Sequence, residues 1–401
     1  MNGPPIRDGA LLLDDAGTIL AAGPSALVPL PPGAAAVHRA GEALLPGLVN
    51  AHTHLELTGL GALDAPERFA EWILELRRRK AARDTTAFLA AAREGVRQCL
   101  RAGVTCVADT GDSGAAALAL AEAGMAGVAY QEAFGPDPAQ RDEGLAFLRE
   151  RLAATAAAVA AARGRVRLGV SPHAPYSVSG ALYRAMAAEG RVRGLPLACH
   201  IAESAAESAL LRDGTGPFAE GWARRGIAPP PAGRSPVGWL DELGVLGPDL
   251  LCIHVVRADA TDLDRLAAAG AAVAHCPLSN RRHGHGDAPL AAMLARGLRV
   301  GVGTDSEASL GALDLLAEAR AASALAGLDA LGALALATRE AARAIGLGEV
   351  AGVLAPGRAG DVAAFPCAAG DETAAAEAVL AAEGPARATW LRGVELSWAG
   401  A

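Results

Sequence analysis

Eight short, almost wholly apolar runs punctuate the chain, at 44–52, 103–110, 126–134, 166–173, 195–203, 250–256, 271–280 and 300–306. Most are apolar at consecutive positions instead of alternating, the pattern of parallel strands covered on both faces. The stretches between them, such as 68–103, are rich in Ala, Leu and Arg and long enough for crossover helices. Segment 152–162 approaches low complexity, but alanine is the strongest helix former, so it reads as one more such helix. Eight strand–helix units in about 300 residues predict an α/β protein built as a (β/α)8 TIM barrel. An open, doubly wound sheet is the competing architecture, but it lacks a Gly-rich phosphate turn after the first run.

The two ends follow a different pattern. Residues 1–43 carry Pro/Gly turns and short β-like runs (GALLLDD, GTILAAG). After a helical stretch at 331–346, short strands return in GVLAPGRAGDVAAF (352–365) and ATWLRGVEL (388–396). Chain termini often lie close together. Residues 1–43 and 347–401 are therefore expected to form one small composite β-sandwich domain beside a catalytic barrel of residues 44–346.

Composition narrows the partners. The 401 residues carry 36 basic and 44 acidic side chains, a net charge of −8 with histidine neutral. With no basic run longer than Arg77-Arg78-Arg79-Lys80, a nucleic-acid surface is not expected. No stretch approaches the ~18 uninterrupted apolar residues of a membrane span. The start, MNGPPIRDGALLLDD, places an acidic pair where a secretory segment would be apolar. Six scattered cysteines (Cys99, Cys106, Cys199, Cys252, Cys276, Cys367) without a CxxC read as reduced thiols of a cytoplasmic protein. Lys80 is the only lysine. Any chemistry that needs a lysine must use it or be abandoned.

The candidate chemistry sits at the C-terminal ends of the apolar runs: His52 and His54, His173, His200 with Glu203, His254, and Asp305. In a (β/α)8 barrel those ends converge on one mouth, where active sites are built. His52 and His54, at i and i+2, share a face only on a strand. With His200 and Asp305 they supply three nitrogens and one carboxylate, a set suited to Zn²⁺ or Fe²⁺. The competing reading makes all four unrelated core or capping residues. Glu203, three residues after His200, can share the cavity and shuttle a proton; otherwise it is a charge at a helix N-terminus. His254, in CIHVV, either assists a catalytic water or is a satisfied buried histidine. His173, in SPHAPYS, holds a sugar hydroxyl or braces its turn.

Taken together, NAHTHLE, SPHAPYS, HIAES, CPLSN and GTDSEAS resemble the amidohydrolase superfamily, in its nucleoside and nucleobase deaminase/chlorohydrolase branch. The tail GVLAPGRAGDVAAF is similar to the family's GxxxPGxxADxxxF, so the resemblance covers essentially the whole chain. It implies the barrel with its composite β domain and one divalent metal ion on His52, His54, His200 and Asp305, with Zn²⁺ favoured and Fe²⁺ the alternative. FAEW and ESALLRDGTGPFAE look most like the aminodeoxyfutalosine deaminase group of menaquinone biosynthesis, with S-adenosylhomocysteine/methylthioadenosine deaminases as close relatives. Binuclear members bridge two metals through a carboxylated lysine at the end of barrel strand four. Here VRLGVSPHAP has no lysine there, which favours one metal over two. The other zinc deaminase architecture, with HxE and PCxxC, is absent.

The resemblance implies hydrolytic removal of a 6-amino group from an adenine-type nucleoside, an aminohydrolase reaction. Asp305, helped by His254, takes a proton from water and Glu203 protonates the ring nitrogen. For substrate contacts the candidates are His173, Trp72 (with Phe69), Glu56 and Arg281; Arg282 and Arg77 to Arg79 are further arginines that could meet a carboxylate. Glu132 faces the same mouth without a role. A second HxH, His283 and His285, lies in a Gly-rich segment with no fixed face and is not assigned to metal. The expected partner is a nucleoside-like small molecule, with a homodimer left open. The competing functions are hydrolysis of guanine, cytosine, a chlorotriazine or a cyclic amide, and a non-catalytic binding protein on a decayed barrel.

Overall fold

Each of the eight apolar runs contains a strand, and the strands lie side by side in chain order in one parallel sheet. They are β1 (Leu48–Thr53), β2 (Val104–Gly111), β3 (Ala126–Ala133), β4 (Val166–Pro172), β5 (Leu197–Ile201), β6 (Leu250–His254), β7 (Ala272–His275) and β8 (Arg299–Val302). The last strand returns to the first. Thr304 and Asp305 donate their backbone N–H groups to His52 O at 3.0 and 3.1 Å, and Thr53 bridges Asp305 in parallel. The architecture is a (β/α)8 barrel. The computed structural model describes residues 3–64, 69–162, 164–368 and 370–397.

The crossover helices form where the spacing predicts them. The 68–103 stretch folds as Phe69–Ala81 and Thr85–Arg101, the second capped by the Asp84 side chain on Ala87 N; Arg68 lies outside the described residues. The Ala-rich stretch is the C-terminal half of the helix Arg141–Ala161. Two apolar clusters take alternate residues of the strands. Val107, Ala129, Cys252 and Val273 pack against helical Leu120, Leu148, Leu182 and Met186. Cys106, Ala108, Val128, Tyr130, Leu251, Ile253, Ala272 and Ala274 form a second cluster with Ala341, Ala342 and Ile345. Most of the strands are thus dry on both faces, which is why their runs are continuously apolar; β4 is the exception, with Arg167 exposed.

Two runs are subdivided in the structure. The run 44–52 breaks at Gly47: Glu42–Pro46 enters a separate antiparallel sheet and β1 begins at Leu48. A Cβ at Gly47 would stand 2.0 Å from Thr105 Oγ1, so only glycine lets the chain pass β2 at this turn. The run 271–280 stops being a strand at His275. Pro277, which lacks an N–H to give to a sheet, occupies the first turn of the helix Pro277–Arg282.

Both chain ends build β structure beside the barrel. Glu42–Pro46, Val362–Pro366, Ala388–Leu391 and Val394–Glu395 form an antiparallel sheet, and Gly9–Leu13 pairs with Ile19–Pro24 as a hairpin. The hairpin joins the tail through Ile19 N to Arg358 O (2.8 Å) and Gly360 N to Gly17 O (2.7 Å). Arg165, just before β4, reaches the tail through a buried ion pair with Asp361 at 2.5 Å. Among the described residues, no helix is long and apolar enough to cross a membrane.

Candidate metal centre and active site

His52 is the penultimate residue of β1 and His54 follows the strand, their ring centroids 4.7 Å apart. Gly303 makes room for the closure behind them, since a Cβ there would lie 2.6 Å from His52 N. His54 Nδ1 donates to Thr110 O at the end of β2 (2.8 Å), and His200 Nδ1, in β5, faces His173 O at 3.2 Å. Each imidazole therefore keeps an unprotonated Nε2, and the two Nε2 atoms stand 3.3 Å apart. Both nitrogens of His52 are buried without a partner. Asp305 Oδ1 lies 3.6 Å from His52 Nε2 and 3.5 Å from His54 Nε2, while Oδ2 accepts from Ser279 Oγ (2.5 Å) and Ser309 Oγ (2.8 Å).

Lone pairs facing one another at this distance repel unless a cation lies among them. The potential ligand atoms of His52, His54 and His200 all fall within 4.8 Å of one another. Burial pushes all three imidazoles below their ordinary pKa, to the neutral form that binds metal. Burial opposes ionisation of Asp305 as well, but His52, His54 and His254 hold its carboxyl well below the usual range. Three neutral nitrogens and one carboxylate fit a single zinc-type divalent ion. The C-terminal end of β4 offers no lysine, and Lys80 sits on the helix Phe69–Ala81.

The acid–base groups adjoin this centre. Glu203 follows Ala202, a non-glycine residue at φ +50°; His254 (+75°), Val255 (+50°) and Asp305 (+55°) share that left-handed geometry. Such backbone costs on the order of 1–3 kcal/mol per residue and persists where surrounding contacts impose it. At Glu203 the imposing group is Glu207, whose carboxylate accepts from Ala202 N (2.8 Å) and Glu203 N (2.9 Å). Glu203 Oε1 then lies 3.6 Å from His254 Nε2 and 3.4 Å from His285 Nε2. His254 donates Nδ1–H to Asn280 Oδ1 at 2.9 Å, which turns Nε2 toward Glu203. Burial raises the Glu203 carboxyl, but His254 and His285 outweigh it and hold it at about 2.

The remaining candidates divide. His173 belongs to the site: its ring lies 4.7 Å from His200, and Nδ1 meets Ser177 Oγ at 2.7 Å. Trp72 is buried beside Phe69 (5.9 Å) and His283 (4.5 Å), its indole nitrogen unpartnered. Glu56 is engaged elsewhere, accepting from Lys80 Nζ at 2.7 Å and from Ser113. Arg281 pairs with Asp287 at 2.6 Å on the surface, and Arg78 and Arg79 pair with Glu75. Arg77 and Arg282 are exposed. Glu132, buried and pushed up to about 8, stands 3.9 Å from His200 Nδ1. Sequence reasoning passed over Ser279, Asn280, Ser309 and Glu207, and it noted the pair His283/His285 without giving it a role. The signals were CPLSN, where a helix opens at the mouth of β7, and the second HxH that follows it.

Residues 43–394 match the model of the amidohydrolase family. Aminodeoxyfutalosine deaminase from Deinococcus radiodurans is 36% identical over 288 residues, which span 69% of this chain and 66% of that protein. 5-Methylthioadenosine/S-adenosylhomocysteine deaminase from Pelotomaculum thermopropionicum is 31% identical over 386 residues, 90% of this chain and 81% of its own. Among solved structures, an adenosine deaminase from Xanthomonas campestris with bound zinc superimposes with a TM-score of 0.81 at 25% identity, covering 97% of this chain and 88% of that one. With the barrel, the four converging donors and this match along most of its length, the chain belongs to the amidohydrolase family.

Proposed function

We propose that the chain is a metal-dependent hydrolytic deaminase that replaces the 6-amino group of an adenine-type nucleoside with a 6-oxo group, and that its substrate is 6-amino-6-deoxyfutalosine. One observation carries the reaction class: Glu203, between His254 and His285, adjoins the centre of His52, His54, His200 and Asp305 in one buried mouth. The adenine-nucleoside reading is supported by the relatives' names, and the futalosine reading by the Deinococcus protein in particular. A methylthioadenosine/S-adenosylhomocysteine deaminase is the second reading, favoured by a relative that aligns over more of the chain.

A divalent ion, Zn²⁺ in this proposal, held by His52, His54, His200 and Asp305 would act as a Lewis acid and bring the pKa of water toward neutrality. The chain's own groups move the protons. Water adds to C6 of the substrate, and Asp305 Oδ1 and His254 Nε2 are the acceptors for its proton. Glu203 is a carboxylate in the free protein, so it must receive a proton before it can donate one to the ring nitrogen. His254, 3.6 Å away, is placed to pass it on. The second proton goes to the departing amine, the C6–N bond breaks, and ammonia and the 6-oxo product result. His173 and Trp72 line the pocket for the ribosyl group and the base.

Ammonia release from aminodeoxyfutalosine, S-adenosylhomocysteine, methylthioadenosine and adenosine tests the reading, with the highest kcat/KM expected for the first. Hydrolysis of a ring amide with no ammonia from any of the four would overturn it. Glu203→Gln should lower kcat by about 10²–10⁴-fold while leaving bound zinc unchanged. Turnover that survives this change removes Glu203 from the mechanism.

A further inference from the structure

The second HxH leaves the Gly-rich segment and enters the site. His283 and His285 are 5% and 4% exposed, and Gly284 between them takes φ +69°, which turns the chain so that both rings face inward. The rings lie 5.6 Å apart, and each is braced from the helix Phe69–Ala81: His285 meets Phe69 edge-on at 4.5 Å and His283 meets Trp72 at 4.5 Å. Each then addresses a different carboxylate. His285 Nε2 stands 3.4 Å from Glu203 Oε1, on which His254 also converges. His283 Nε2 contacts Ser309 Oγ at 3.2 Å, and Ser309 Oγ in turn lies 2.8 Å from Asp305 Oδ2.

Donor accounting sets the direction of that second chain. A carboxylate can only accept, so the single hydroxyl hydrogen of Ser309 goes to Asp305. Ser309 Oγ then accepts from Ser306 Oγ at 3.0 Å and, with its second lone pair, from His283, whose Nε2 carries the proton. Together with Ser279, this ties up Asp305 Oδ2 and leaves Oδ1 turned toward His52 and His54.

We propose that the turn His283-Gly284-His285 positions both carboxylates of the chemistry, His285 directly on Glu203 and His283 on Asp305 through Ser309. The role of Glu203 assumed here rests on the deaminase reading above; the role of Asp305 as a ligand rests on the donor set alone. Both histidines are positioning residues: neither needs to touch substrate or metal.

The test uses the full chain. Zn²⁺ affinity is measured by chelator competition for wild type and for His283→Ala, His283→Gln and His285→Ala. Groups that hold a metal ligand in place are typically worth about 10–100-fold in metal affinity. His283→Ala should lose that much, His283→Gln should recover most of it because its amide N–H can reach Ser309, and His285→Ala should bind as wild type. Turnover then reads the other arm. His285→Ala should lower kcat about 100-fold with KM within about threefold, on the scale of a lost acid–base contribution, and His285→Gln should restore most of it. Equal zinc affinity of wild type and His283→Ala, or an unchanged kcat in His285→Ala, overturns the proposal. If wild type releases no ammonia from any of the four nucleosides, the deaminase reading has failed, and the zinc comparison by itself decides the present one.

Discussion

Replacing the single lysine should show how much the rim of the barrel depends on one cation. Lys80 Nζ donates to Glu56 Oε1 and Asp112 Oδ1, each at 2.7 Å. Glu56 is 1% exposed. Two carboxylates on one ammonium do not share it equally. Burial raises Glu56, but Lys80 and the hydrogen bonds outweigh it and hold Glu56 at about 2, whereas burial leaves Asp112 pushed up. Removing one member of such a buried pair costs ~3–5 kcal/mol, because the partner's charge is left buried and uncompensated. Because the folded pKa of Glu56 is depressed, this contribution is complete above its unfolded value and fades as pH falls toward 2. Lys80→Met should therefore lower the guanidinium unfolding free energy by about 3 kcal/mol at pH 7, with the gap from wild type narrowing at pH 3. Lys80→Met combined with Glu56→Gln should recover at least half of the loss, since no orphaned carboxylate then remains at Glu56. A single variant within about 0.5 kcal/mol of wild type at pH 7, the range of ordinary surface changes, would refute the reasoning.

Two further outcomes follow from burial. Burial pushes the thiols of Cys99, Cys106 and Cys252 up to about 12 and those of Cys199 and Cys276 well above their ordinary value, while Cys367 is partly exposed. An aromatic disulfide reagent at pH 8 should label Cys367 alone in the folded protein and all six thiols in denaturant; rapid native labelling of a second cysteine would contradict the packing. Arg165→Ala removes the buried partner of Asp361 and should cost about 3–5 kcal/mol locally. Hydrogen exchange should then speed up in Val362–Pro366 and Ala388–Leu391 before it does in β2 to β4, and unchanged protection there would show that the pair does not anchor the sheet.

Much of the site could be read from the chain because its signals are local. Strand parity makes His52 and His54 neighbours whatever the rest of the molecule does. Eight continuously apolar runs, most carrying a polar residue at or near the C-terminal end, imply a sheet covered on both faces with its chemistry at one rim. The break at Gly47 was hidden by hydropathy, because Leu44, Leu45, Leu48 and Val49 are apolar on both sides of it; contact with Thr105 on the neighbouring strand is what ends the first strand there. Glu56 and Arg281 look free in sequence, and only the fold supplies Lys80 and Asp287 as their partners.

The number and order of the barrel strands and the donor types near their C-terminal ends are legible in the chain, because side-chain periodicity and residue identity are local; the bounds of the first and seventh strands are not. Tertiary structure decided which carboxylates are free to act, where Lys80 spends its charge, and that the Gly-rich HxH turns inward. Those outcomes depend on distances between segments up to hundreds of residues apart, and such distances are set when the eight strands close and bring Asp305 back against His52.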